Sequence, residues 1–355
     1  VGGQSIGIVG RVRNFVAPPS RRLAEYRQFS VNPATMTFDP AVWVLHDGKA
    51  GMASQAIGLA EATGFSFIEK PLAVRFPWTH LPPHLWLLPF RAVRNAGAGL
   101  MPPWPDLVIA CGRMAALPAL AIRRVNGGRS LAAQIQDPGI GHRDFDLLVV
   151  PEHDRLRGRR VFVTRGAVHR VTAARLAAAR CRFAALTAMP RPIVSVLIGG
   201  STRVHRLHLQ RLGEIADALA GILRRDGGSL LVTTSRRTGE AGLVLLREKL
   251  AHLSAAIWDG TGENPYFAYL AFADALLVTA DSISMVSEAA ATGKPVHIAE
   301  LDGGNAKFAR FHATMRAAGI TRPFRGRIES WSYPIPDDTA RAGAALRALV
   351  VQRFA

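Results

Sequence analysis

Cysteine is scarce in this chain. Only Cys111 and Cys181 occur in 355 residues, far apart and outside any ligand-like spacing. That excludes a disulfide framework and a cysteine zinc site, and it suits a reducing compartment. Both are expected to be small core residues. Long apolar runs are missing too. No stretch approaches the roughly 18 residues of a spanning helix, which leaves only a resting place on a membrane surface. Acidic side chains are outnumbered, 26 against 44 Lys and Arg, for a net charge of +18. A basic surface attracts phosphates, nucleic acid or anionic lipid. No helix-turn-helix, zinc-finger or RRM signature accompanies the charge, so nucleic acid is not the expected partner. A phosphorylated ligand or an anionic membrane is.

What is present fits a globular protein: 49% hydrophobic and 20% charged residues. The length is comfortable for two domains. Residues 1–35 stand apart, with five arginines, one acid (Glu25) and no convincing periodicity. They read as a non-native or disordered extension, with Met36 as the expected true start. A targeting leader is the rival reading.

From there short apolar runs alternate with helical stretches, the pattern of parallel sheets. Strands are expected at 42–46, 107–111, 131–136, 147–150 and 161–163, with helices at 53–62 and 115–125. An Ala- and Arg-rich helix over 171–188 precedes Pro190 and Pro192, where the pattern restarts. Strands then fall at 193–198, 229–233, 256–258, 275–279 and 296–299, interleaved with helices. The expected organisation is an α/β, GT-B-like pair of Rossmann-like domains with parallel sheets facing a central cleft. An acceptor domain covers 36–170, a linker helix 171–190, a nucleotide-binding domain 191–335, and a C-terminal helix 336–355. Ligands of such sheets bind beyond the carboxyl ends of the strands.

The densest chemical signal follows the strand ending at Thr279. Asp281-Ser282-Ile283-Ser284-Met285 leads into a helix whose first N–H groups have no internal partner and carry the positive dipole end. Phosphate binds well there. Ser282 or Ser284 can cap the helix or donate to phosphate, and Glu288, one turn further on the same face, can accept from ribose hydroxyls. Four other loops at strand ends are phosphate- or sugar-friendly. They are Gly199-Gly200-Ser201-Thr202, Ser235-Arg236-Arg237, the turn carrying Asn264, and the loop with Gly304, Asn305 and Lys307. Ordinary capping and solvated arginines remain the plainer alternative at each. In the first half, Asp47-Gly48-Lys49-Ala50-Gly51 lacks P-loop spacing. Glycosyl transfer needs a base for the acceptor hydroxyl or electrostatic help for the leaving group. Asp47, Asp137, His153 and His169 are the candidate bases. Trp78 to Phe90, apolar and flanked by Arg75, Arg91 and Arg94, fits either docking on an anionic bilayer or packing on its own domain.

These runs carry a resemblance. Asp47-Gly48-Lys49-x-Gly51, Gln134-Ile135-Gln136-Asp137-Pro138, Thr234-Ser235-Arg236-Arg237-Thr238, Asp259-Gly260-x-Gly262-x-Asn264-Pro265-Tyr266 and Asp281 to Val296 closely resemble the mitochondrial-fission "elongated mitochondria" family, over about residues 40–330. Plant members of that family are similar to peripheral adaptors that recruit a dynamin-like GTPase. The family in turn resembles, more distantly, GT-B glycosyltransferases such as the lipid-linked N-acetylglucosaminyltransferase of peptidoglycan synthesis. Gly199-Gly200-Ser201 is similar to its Gly-Gly-Ser loop, Thr164 to Arg170 to the segment entering its linker, and Ser284 to Glu288 to its nucleotide-binding helix. Its Gly-rich acceptor loop is replaced here by Asp47 to Gly51.

The resemblance implies an enzyme using a nucleotide diphosphate-sugar, UDP-linked, on an envelope or lipid-linked acceptor. The setting would be cytoplasmic, at the inner face of the membrane. Backbone amides near Ser201 and Ser284, with Arg236 or Arg237, would carry the diphosphate charge, so no metal or other cofactor is expected. The alternative is a non-catalytic membrane-peripheral adaptor on the same fold. The sugar, acceptor and oligomeric state are left open.

Overall fold

Aliphatic runs without polar alternation form strands buried along their whole length, as in parallel sheets covered on both faces. Val42–His46 and Ala275–Thr279 are two such runs. The computed structural model describes residues 39–81, 85–86, 88–95 and 99–354. The expected extension 1–35, the start at Met36 and Leu87 of the apolar segment lie outside them.

The first part of the chain runs β1 (Val42–His46), α1 (Ala50–Thr63), β2 (Ile68–Val74), α2 (Pro89–Ala92), β3 (Val93–Asn95), β4 (Leu107–Cys111), α3 (Arg113–Val125), β5 (Leu131–Ile135), β6 (Leu147–Pro151) and β7 (Val161–Thr164). Its sheet has the order β3-β2-β1-β4-β5-β6-β7. All neighbours are parallel except the edge pair β2–β3. Then follow α4 (Ala173–Arg182), β8 (Ile193–Ile198), β9 (His205–Arg206), α5 (Leu209–Asp226), β10 (Ser229–Thr234), α6 (Gly239–Leu250), β11 (Ala255–Trp258), α7 (Tyr266–Phe272) and β12 (Ala275–Thr279). The chain closes with α8 (Ile283–Ala290), β13 (Val296–Ala299), β14 (Asp302–Gly303), α9 (Ala306–Ala317), β15 (Thr321–Pro323) and α10 (Asp338–Phe354). The second sheet, β11-β10-β8-β12-β13-β15, is parallel throughout, and β9 and β14 form a separate antiparallel pair.

Both sheets grow outward from one strand and then resume on its other side. The reversal lies between β1 and β4 in the first and between β8 and β12 in the second. Loops part at such points and leave room for a ligand.

The apolar pattern missed β2 and β3, where Lys70, Pro71 and Arg94 interrupt it, and it missed the short β9, β14 and β15. The Ala/Arg segment expected as one helix over 171–188 is α4 followed by a 3-10 turn at Ala184–Ala188. Cys111 is buried as expected, but Cys181 is exposed on α4, which has no buried residue. Of the apolar segment, Trp86 is buried, and Trp78 and Phe90 pack on the first core. Leu81, Leu85 and Leu88 remain exposed. Among the described residues no helix is long and apolar enough to cross a membrane.

Helix α10 returns to the first half. Gly343 sits against Ala62, and Arg347 donates to the Thr63 carbonyl at 2.8 Å. Helix α1 is wedged more tightly still. A Cβ on Gly58 would lie 2.4 Å from the His169 carbonyl oxygen. Gly221, inside α5, has open space where its Cβ would be. Alanine is favoured over glycine in a helix interior by about 1 kcal/mol. Gly221→Ala should therefore raise stability by about 0.5–1 kcal/mol. Gly58→Ala should lower it by about 2 kcal/mol, because overpacking against backbone outweighs the helix preference. Urea unfolding of both variants checks this, and a Gly58→Ala protein as stable as the parent would refute it.

Candidate functional site

The reversal point of the second sheet is built by close packing of three loops. The Gly199 N–H donates to Thr279 Oγ1 (2.8 Å) and the Gly200 N–H to Asp281 Oδ2 (3.1 Å). A Cβ on Gly199 would fall 2.3 Å from the Asp281 carboxylate, and one on Gly200 2.4 Å from the Arg237 backbone. Only glycine fits, for a reason internal to the protein. Ser235 and Thr238 hydroxyls both donate to the Gly199 carbonyl, at 2.7 and 2.6 Å. Asp281 is the hub. Its side chain is fully buried, takes the Thr279 hydroxyl at 2.7 Å, and pairs with Arg237 Nη2 at 2.7 Å. The sequence reading quoted Asp281 but gave it no role. Its signal was its place straight after β12, facing the Gly-Gly turn.

Beside this hub, α8 begins. Ser282 caps it, accepting from the Met285 N–H at 3.3 Å. Met285 packs against the core below, and Ser284 and Glu288 face the first half. The N-terminal turn of α1 meets them. A Cβ on Gly51 would lie 3.2 Å from Ser284 Oγ, and Gln55 Nε2 donates to that oxygen at 3.2 Å. Gln136, at φ 70°, donates to Gln55 Oε1 at 3.0 Å. This relay ties the end of β5 to the start of α8. Glu288 is buried, with one carboxylate oxygen taking the Ser54 hydroxyl at 2.7 Å and the other the Tyr266 hydroxyl at 2.6 Å. Burial raises its pKa, and those two hydrogen bonds and Arg170 only partly offset the rise. Burial and the neighbouring Glu288 hold the Tyr266 phenol well above its usual range. Glu288 is thus no solvated residue on the helix surface. Ser54 and Glu288 are 234 residues apart, so no local pattern marked their pairing.

The remaining candidates fall into two groups. Near the cleft, Asp47 pairs with Lys49 on a turn held by His46, whose Nδ1 accepts the Gly48 N–H at 3.1 Å. Asp137 follows β5 and takes His142 Nε2 and the Gly139 N–H, both at 2.8 Å. Burial pushes its carboxyl up. The hydrogen bonds from His142 and Gly139 and the charges of His142 and Arg113 outweigh it, and the pKa ends below the ordinary value. Asp137 is thus an ionised partner that orients a partly exposed imidazole. His142 is not among the bases expected from the sequence. Arg236 is exposed. Ser201, also exposed, accepts the Leu207 N–H, and Thr202 accepts from the backbone of Val204 and His205. Asn264 makes an Asx turn with the Tyr266 N–H.

In the second group, His153 and His169 are buried. Burial lowers the pKa of each to about 4. His153 stacks edge-on against Phe311, and its carbonyl accepts from Arg310. Lys307 pairs with Asp154 at 2.5 Å across the two halves. Asn305 caps α9, and Gly304 (φ 109°) lies beside the His205 ring. The chain holds one Asp-x-Asp triplet, Asp144-Phe145-Asp146. Phe145 is buried in the core, and Asp146 takes Arg123 and the Ala132 N–H, so the triplet braces the sheet.

Two parallel sheets whose strand-end loops meet in this way define a GT-B-like α/β protein of two Rossmann-like domains. The fold agrees with that of the UDP-GlcNAc 2-epimerase from Methanocaldococcus jannaschii, in complex with UDP-GlcNAc and UDP. That match has a TM-score of 0.53 and 13% identity, and it covers 88% of this chain and 99% of the other. A putative UDP-N-acetylglucosamine 2-epimerase from Listeria monocytogenes matches with a TM-score of 0.54 and 11% identity, over 89% and 97%. Sequence identifies the family. The model of Mitochondrial fission ELM1 matches residues 50–350, and the chain belongs to that family. It is 33% identical over 270 residues to the mitochondrial fission protein ELM1 of Arabidopsis thaliana. The match covers 68% of this chain and 63% of the plant protein, so the chain spans less than two thirds of that relative's length.

Proposed function

We propose that this protein is a metal-independent glycosyltransferase with a nucleotide diphosphate-sugar donor, UDP-linked, held by the second sheet. The first sheet would present an envelope or lipid-linked acceptor at the cytoplasmic membrane face. The observation that carries the reading is the convergence on one reversal point of the α8 N-terminus, Ser284, Arg237 and, one turn on, Glu288. That is an anion cradle followed by a carboxylate. The UDP-GlcNAc and UDP held by the Methanocaldococcus epimerase of like fold support UDP as the first nucleotide to test. In the reaction the bond from the anomeric carbon to diphosphate breaks as the acceptor oxygen attacks. The α8 amides and Arg237 take up the charge on the leaving group. His142, oriented by Asp137, takes the acceptor's proton, the role an imidazole plays when a carboxylate fixes its tautomer. His153 and His169 are too deeply buried to serve, and Asp47 stays a second candidate base.

Ribose would have to replace Ser54 on Glu288, so the donor enters as the α1–α8 contact parts. Titrating the 355-residue chain with UDP, GDP, ADP and UDP-GlcNAc in a thermal-shift assay tests this. UDP at about 100 times its dissociation constant should add about 2.7 kcal/mol. Glu288→Gln should weaken UDP binding about tenfold, the loss of one hydrogen bond to a charged group. Ser54→Ala should strengthen it. No shift with any nucleotide in well-folded protein would defeat the proposal.

One feature favours a second reading, a non-catalytic adaptor on a membrane. Phe76 (79% exposed), Leu85 and Leu88 stand out beside Arg75, Arg91 and Arg94. Apolar residues rimmed by arginine suit an anionic bilayer. If no nucleotide binds, sedimentation of the chain with anionic but not neutral vesicles would select this reading.

A further inference from the structure

The loops before and after β6 concentrate positive charge at the β7 edge of the first sheet. Arg143, Arg155, Arg157, Arg159 and Arg160 are all exposed there. Among the described residues none of the five makes an ion pair. Two acids of the same stretch are committed elsewhere, Asp146 to Arg123 and Asp154 to Lys307. Asp144 and Glu152 are left to offset the arginines, and both are exposed. Like charges gathered in this way repel one another, and a partner of opposite sign relieves the repulsion.

Hydrogen bonds hold this surface in one shape. Arg160 Nη1 donates to the carbonyls of Arg143 (2.7 Å) and Phe145 (3.1 Å), which fastens the start of β7 to the loop entering β6. Arg157 donates to the Leu156 and Glu152 carbonyls at 2.8 and 3.2 Å. Carbonyls bring no countercharge, so both guanidinium groups keep their charge and further N–H donors. Arg155 sits at φ 59°, a region that a side chain with a Cβ disfavours and glycine takes freely. Among the described non-glycine residues only Gln136 shares it. The Arg155 guanidinium bonds to no described residue, so no contact within the protein accounts for an arginine at that position.

Fixed guanidinium forks recognise carboxylate or phosphate. The surroundings narrow the choice. Of the large exposed apolar side chains only Val163, 36% exposed, is near, so a bilayer would meet nothing to insert. No aromatic ring is exposed there to stack on a base. The carboxylates of Asp144 and Glu152 stand among the arginines and would repel a continuous phosphate backbone, whereas a protein can set a cation against each. The surface is also separate from the arginines around Phe76, which lie by the opposite edge strands β2 and β3.

We propose that this surface docks an acidic segment of a protein partner, whose carboxylates pair with the five arginines. Arginine is enriched at protein interfaces, and charge complementarity of this kind speeds encounter and weakens with salt. The inference rests on neither function proposed above.

The test is fluorescence anisotropy of a labelled polyglutamate peptide with the full chain, at low and at physiological salt. The parent should bind, more tightly at low salt. Arg143→Ser combined with Arg159→Ser removes two side chains that bond to no described residue, so the fold should hold while affinity falls about tenfold. Arg224→Ser combined with Arg325→Ser removes the same charge from two exposed arginines of the second half, and should change affinity little. Arg155→Gly should weaken binding while its melting temperature holds or rises, because glycine accepts the left-handed backbone. Polyuridylate and phosphatidylglycerol vesicles are the competing probes. The inference falls if the parent does not bind the peptide. It falls equally if the second-half pair weakens binding as much as the first, which would make net charge the cause. Tighter binding of polyuridylate or of vesicles, lost with Arg143 and Arg159, would replace the acidic protein with a nucleic acid or a membrane.

Discussion

Arg237→Ala should lower the stability of this protein by about 2–3 kcal/mol, because it strands a buried carboxylate. The Asp281 side chain has no exposed surface, while that of Arg237 is 43% exposed. Breaking a fully buried pair typically costs about 3–5 kcal/mol. Here water can follow the departing guanidinium, so the lower figure is expected. Asp281 keeps the Thr279 hydroxyl and the Gly200 N–H, but neither supplies a countercharge. The melting temperature should fall by about 5 °C. A second substitution gives the sharper check. Arg237→Ala combined with Asp281→Asn removes the stranded charge, so the pair should lose less than the sum of the single changes. Strict additivity, or an Arg237→Ala protein as stable as the parent, would show that the ion pair does not hold the three loops together. On the function proposed above, the single variant should also bind UDP at least tenfold more weakly, since one charge-assisted hydrogen bond to diphosphate is lost.

Acid should unfold the protein well before its carboxylates of ordinary pKa titrate. His153, His169, His205, His297 and His312 are all held below the ordinary histidine value of 6.5, each chiefly by burial. For His153 and His169 the native value is about 4. The unfolded chain takes up protons as pH drops through 6.5 while the native protein does not. The stabilisation is therefore complete above pH 6.5 and is lost as pH falls toward 4. Each of these two residues accounts for about 3 kcal/mol over that window. Together they rival the roughly 5–15 kcal/mol of a whole protein. Urea unfolding at pH 7, 6, 5 and 4 should show a steep decline beginning near 6.5. A flat profile from pH 7 to 5 would mean these imidazoles protonate freely in the native state. His169→Leu should shallow the decline, which separates the histidine contribution from that of carboxylates.

Much of this molecule was legible in its sequence. Val42–His46, Leu107–Cys111, Ile193–Ile198 and Ala275–Thr279 fall where the apolar pattern puts them, because a strand covered on both faces must be continuously apolar. Strand-then-helix alternation implies right-handed parallel crossovers, and these lead to the two-sheet fold. The Ser282 cap, the family motifs and the richness of the strand-end loops were likewise open to local reading. Chain order alone could not say which loops touch. Asp281 meets Arg237 and Gly200, and Ser54 meets Glu288, only once the sheets reverse at β1/β4 and β8/β12. Gly58 and Gly221 look alike in a helical pattern. The His169 carbonyl against one, and open space beside the other, makes them opposites. Periodicity records which face of an element is buried. Hydrogen-bond partners, trapped charges and unfilled cavities depend on what another part of the chain, up to 234 residues away, brings to that face.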